Sequence, residues 1–144
     1  MGELPDPALL VRRHLRWGWW SLLVFLTLGI ALEAMHGLKI GWYLSVANET
    51  RRLLWRLAHA HGTQLGVLHI LFAFTLRASN EEGRGWRGIA SASLIGATLL
   101  LPGGFLLGGL VVQGGDPSRA ILLVPPGALL LFVAVLLTAR RVRA

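Results

Sequence analysis

Glu33 and His36 stand three residues apart in the stretch LEAMHG, and His59, His61 and His69 follow within LAHAHGTQLGVLHI. Carboxylate and imidazole groups ligate zinc, iron, copper and manganese, so this set has the chemistry of a transition-metal site. Imidazoles from two helices can also hold a haem b between them. The same groups have a second use: inside a membrane they hydrogen-bond across helices or pair with arginines such as Arg52 and Arg56. Both uses stay open on residue type alone.

Spacing narrows them. An i, i+3 pair shares a helix face, which joins Glu33 to His36. At about 100° per residue, His59 and His61 point about 160° apart, while His61 and His69 are about 80° apart and two turns separated. One ion would therefore need both helices: Glu33, His36 and His61, with His59 replacing His61 if the helix begins irregularly. His69 falls on the side of Gly62, Gly66 and Ala73 and is predicted to face the bundle interior. His14, set among the arginines of RRHLR, reads as a solvated residue.

The elements that must position these groups are apolar. The 144-residue chain is 54% hydrophobic and 15% charged, with a mean hydropathy of +0.61. That is too apolar for a surface facing water. Four windows reach the roughly 20 residues a bilayer requires: residues 17–35, 53–76, 88–112 and 120–139. The prediction is an all-α fold, an integral membrane four-helix bundle forming a single transmembrane domain over residues 1–144. Asp6 and Pro7 predict an early start for the first helix, and Asn48 or Ser45 a cap for the second. The basic stretch before the first span suits a signal peptide, but GIALEAMHG has no small-x-small cleavage site, so the span is read as retained.

The net charge of +7 raises the question of a nucleic-acid partner. Its arginines flank apolar runs instead of lining one polar helix face, which is the positive-inside pattern and argues against nucleic acid. Nine arginines (Arg12, Arg13, Arg16, Arg77, Arg84, Arg87, Arg140, Arg141 and Arg143) fall on the side of the termini. Five basic residues, Lys39, Arg51, Arg52, Arg56 and Arg119, fall on the other. This places both termini in the cytoplasm and the chain in a bacterial inner membrane, with the lipid bilayer as its first partner. Trp17, Trp19, Trp20 and Trp86 are predicted at one interface, Trp42 and Trp55 near the other. The connection HGLKIGWYLSVANETRR is expected along the outer surface. There is no cysteine, so thiolate sites and disulfides are excluded.

Small residues point to close packing. Gly62 and Gly66 form one stripe, and Gly88, Ala92 and Gly96 another, followed by Gly104 and Gly108. They suit either contacts within the bundle or a homo-oligomer. LLPGGFLLGG and LVPPGALL put Pro102, Pro125 and Pro126 into the third and fourth spans, as kinks or as paired breaks lining a cavity. No G-x-S-x-G, H-E-x-x-H or P-loop is present, and Ser91, Ser93 and Thr98 are expected to bond across helices. The leading functional expectation is a non-catalytic accessory protein that self-associates or joins a larger membrane complex. The alternatives are a haem- or metal-binding membrane protein and a small transporter or channel subunit.

GIALEAMHGLK, followed by a histidine-bearing second span and by LVPPGALLLF, resembles the small YgdD-like membrane proteins. That family has four spans in about the same length and an AHGL-type close to its first helix. It also has a histidine near the start of the second helix and a Gly-rich third span. The resemblance implies the four-span architecture and marks His36 and His61; it implies no reaction, because the family has none assigned. This chain has AHAHG where members commonly carry a tyrosine before the histidine, and His69 is a further departure.

Overall fold

The computed structural model describes residues 7–78 and 85–141. Helix α1 spans Pro7–Gly37 and a single-turn α2 spans Gly41–Leu44. Long helices α3 (Glu49–Ala78) and α4 (Gly85–Gly108) follow, and α5 (Val124–Ala139) closes the chain. Among the described residues three segments are long and apolar enough to cross a membrane: Ala8–Gly37, Gly85–Gly108 and Arg119–Ala139. Helix α3 is as long as the first of these, but His59, His61, Gln64 and His69 dilute its apolar content. The protein is thus all-α, with three helices able to span.

The helices form a layer. Helix α1 packs along α3, α3 on α4, and α4 on α5, while α1 has only marginal contact with α4. Each neighbour runs antiparallel to the last. Gly18 faces Gly66 and Gly29 faces His59, so rising numbers on α1 meet falling ones on α3. Trp55 bonds Leu106, whereas His69 bonds Thr98.

Glycines make these approaches possible. A Cβ on Gly18 would lie 2.8 Å from the Gly66 carbonyl oxygen, and the Phe25 ring fills the notch at Gly62. The Gly62/Gly66 stripe is therefore consumed by α1. The second stripe divides: Gly96 meets Leu130 and Gly104 meets Val124 on α5, but a Cβ on Gly88 would touch nothing within 4 Å. Leu10, Leu65, Phe72, Leu94 and Leu101 belong to the core beneath.

Several boundaries differ from the predicted ones. Helix α4 ends at Gly108 rather than at residue 112, because Val112–Gln113 (β1) pairs antiparallel with Asp116–Pro117 (β2). Gly114 and Gly115 supply the turn, with φ of 58° and 93°. Pro125 and Pro126 begin α5 instead of breaking it, since the first turn of a helix needs no N–H partner; a 3₁₀ turn over Arg119–Leu123 precedes them. Pro102 lies inside a continuous α4. Where paired breaks would have lined a cavity, Gly127 instead lies tight against the Leu101 backbone. Trp86, expected at an interface, packs inside the protein, buried edge-on against Phe72. Asp6, Arg84 and Arg143 lie outside the described residues.

The connection between α1 and α3 is held by arginine. Arg51 donates to the Gly109 and Leu110 carbonyls and to Asn48, so Asn48 serves Arg51 at the start of α3. Arg52 donates to the carbonyls of Tyr43 and Ser45. Arg51 and Arg52 thus tie down carbonyls at both ends of the contact, Tyr43 and Ser45 before α3 and Gly109 and Leu110 after α4.

Candidate functional site

The polar centre lies where α1, α3 and α4 meet, and His14 is half of it. Helix α1 turns Leu10, Val11, His14, Gly18 and Ser21 toward its neighbours, and His14 and His69 are each 0% exposed. His14 Nδ1 lies 2.6 Å from His69 Nδ1. His14 Nε2 lies 2.8 Å from Ser91 Oγ, and His69 Nε2 lies 2.9 Å from Thr98 Oγ1. Phe72 meets the His14 ring edge-on at 4.7 Å, and Trp17 stacks over His69 at 6.0 Å. The solvated reading of His14 is corrected here. Its i, i+4 spacing from Leu10 and to Gly18 was the available signal, masked by the arginines around it.

The proton positions follow from hydrogen-bond logic. The Thr98 hydroxyl donates to the Leu94 carbonyl, so its oxygen is left to accept from His69 Nε2–H. A neutral His69 then has a bare Nδ1, which must accept from His14 Nδ1–H. His14 Nε2 in turn accepts from the Ser91 hydroxyl. Every bond points the same way, from Ser91 through both imidazoles to Thr98. The chain leaves α4, crosses α1 and α3, and returns to α4. All four ring nitrogens are engaged, leaving none for an iron or zinc ion. Ser91 and Thr98 are cross-helix partners, as their types predict.

The predicted metal set is divided. His69 is interior, as its place on the Gly62/Gly66 face predicts, but its partner is His14. His59 and His61 point apart, as helical geometry requires. His61 Nδ1–H donates to the Leu57 carbonyl of its own helix and its ring lies 5.1 Å from Phe105. His59 Nδ1–H donates to the Phe25 carbonyl of α1, with its ring in the space left by Gly29. It is therefore His59, on a regular helix, that shares a cavity with Glu33 and His36. Among the described residues no three histidine, aspartate or glutamate side chains come together as a ligand set for one ion. Arg52 and Arg56 form no ion pair with this cluster.

Together these features define an all-α protein with three helices able to cross a membrane and a buried imidazole–hydroxyl network joining three of its helices. Compared with protein-family models, with curated proteins and with solved structures, the chain matches none.

Proposed function

We propose that this chain is a four-span integral membrane protein of the bacterial cytoplasmic membrane, with both termini inside, which works as a self-associating, non-catalytic subunit of a membrane assembly. The fourth span is α3. It runs antiparallel between α1 and α4 along their length, so a bilayer crossed by both of those contains it as well. Each of its histidines has a protein partner: His59 and His61 carbonyls, His69 the side chains of His14 and Thr98. The likeness to YgdD-like proteins supports the same architecture through its motifs.

The observation that carries self-association is the uncovered face of α4. At about 100° per residue, Gly88, Ala92, Leu99 and Gly103 fall within about 60° of one another. Ala92 and Leu99 are exposed, and a Cβ on Gly88 or Gly103 would meet nothing within 4 Å. Lipid gains nothing from small residues, whereas a second helix can approach closely over them. The buried polar network is fully used in holding the chain's own helices, which leaves association to this face.

Crosslinking and native mass spectrometry in mild detergent test the reading. The wild type is expected as a dimer or higher oligomer, or with a co-purifying membrane partner. Ala92→Leu combined with Gly103→Leu is expected to weaken self-association about tenfold, equivalent to about 1.4 kcal/mol, with helix content unchanged. A lone wild-type monomer would overturn the proposal.

A further inference from the structure

A second polar set, separate from the His14–His69 network, surrounds an outer cavity of about 530 Å³ between α1, α2 and α3. Glu33, His36, Tyr43, Arg56 and His59 line it. Glu33 and Arg56 carry opposite charges on facing helices, yet they are not bonded to each other, and neither has a hydrogen bond or ion pair with any described residue. Both side chains are exposed, and an exposed pair gains little by closing on itself, so each charge stays available to a ligand. His59 uses Nδ1 on the Phe25 carbonyl, so its Nε2 is a free acceptor at the cavity. Tyr43 is 1% exposed and lines the same space, and its hydroxyl has no partner among the described residues.

The unmet groups thus comprise one strong donor cation, Arg56, and two acceptors, Glu33 and His59 Nε2, with an amphoteric hydroxyl beside them. That is a receptor for a zwitterion: an anion on the guanidinium and an N–H-bearing cation on the acceptors. Ile30 and Leu26 continue the wall about one and two turns from Glu33 along α1 toward the middle of the helix, and both are exposed. A ligand with a zwitterionic head and apolar tails matches this order of polar rim and apolar wall.

We propose that the outer cavity binds a phospholipid with a phosphoethanolamine head group, its phosphate on Arg56 and its ammonium on Glu33 and His59 Nε2. The acceptors set the selectivity. A quaternary ammonium has no N–H to donate, and an anionic glycerol head group leaves Glu33 unmatched and repelled.

The test is native mass spectrometry of the full chain equilibrated with equimolar phosphatidylethanolamine, phosphatidylcholine and phosphatidylglycerol. Retention of the ethanolamine lipid is expected to exceed that of the glycerol lipid about tenfold. Glu33→Gln should abolish that preference while lipid is still retained, and Arg56→Gln should weaken all three lipids alike. Both side chains are exposed, so the fold tolerates the changes. Equal retention of the three lipids by the wild type, or an unaltered preference in Glu33→Gln, would overturn the proposal. Displacement of the lipid by free phosphoethanolamine at equal concentration would also overturn it, by making the ligand a small solute.

Discussion

Replacing His69 with leucine is expected to destabilise the fold by about 1–3 kcal/mol, although leucine is the more apolar residue. The loss comes from His14, whose Nδ1–H would be left without its acceptor at 2.6 Å in a position with no solvent exposure. Thr98 contributes little, because its hydroxyl keeps the Leu94 carbonyl. Removing both rings removes the orphan: His14→Leu with His69→Leu should cost clearly less than the two single changes added together. Ser91 can then bond back to its own helix. Thermal unfolding of the two single variants and the double variant in detergent micelles measures the coupling. Strict additivity would show that the imidazoles are not bonded. A single-variant cost under about 0.6 kcal/mol, the average for hydrogen bonds between membrane helices, would mean that His14 finds another acceptor.

The two polar sets show what the chain announces and what it conceals. Helix α1 was legible down to Pro7, because its apolar run and N-terminal proline act locally. The inward direction of His69 was legible too, since it depends only on its angle to Gly62 and Gly66. Its partner was not. His14 sits among Arg12, Arg13 and Arg16, and only the packing of α1 on α3 turns it away from them. The divergence of His59 and His61 followed from helical geometry, whereas which of them met Glu33 depended on the side of α3 that α1 covers. Pro125 and Pro126 were ambiguous for a related reason: a proline pair starts a helix as readily as it interrupts an apolar run, and the 3₁₀ turn before them decides.

The same contrast separates the roles of the two sets. The inner one is closed: Ser91, His14 and His69 each donate to a side chain on another helix, Thr98 donates back to its own, and the effect is mechanical, fixing α1, α3 and α4 in one register. The outer one is open, with charges that face one cavity and do not pair. Closed networks specify a fold, and unmatched groups around a cavity specify a ligand. Changes to the first should therefore move unfolding temperature, whereas changes to Glu33 should move lipid selectivity and changes to Arg56 overall lipid affinity, both with little effect on unfolding.

Gly127→Ala is the second change expected to have a large effect, and its cause is backbone rather than side chain. A Cβ on Gly127 would lie 2.6 Å from Leu101 N and 3.0 Å from Leu101 Cα. No rotamer change relieves a clash with main chain, so α5 must move away from α4, opening the contact beside Pro102. Overpacking of this kind costs about 1–3 kcal/mol. It outweighs the roughly 1 kcal/mol that alanine gains over glycine in a helix. Gly88→Ala supplies the opposite sign, because it gains helix propensity where a Cβ meets open space. Unfolding both variants in the same detergent should lower the midpoint for Gly127→Ala and hold or raise it for Gly88→Ala. Equal midpoints would mean that α5 stands off from α4 in the folded protein.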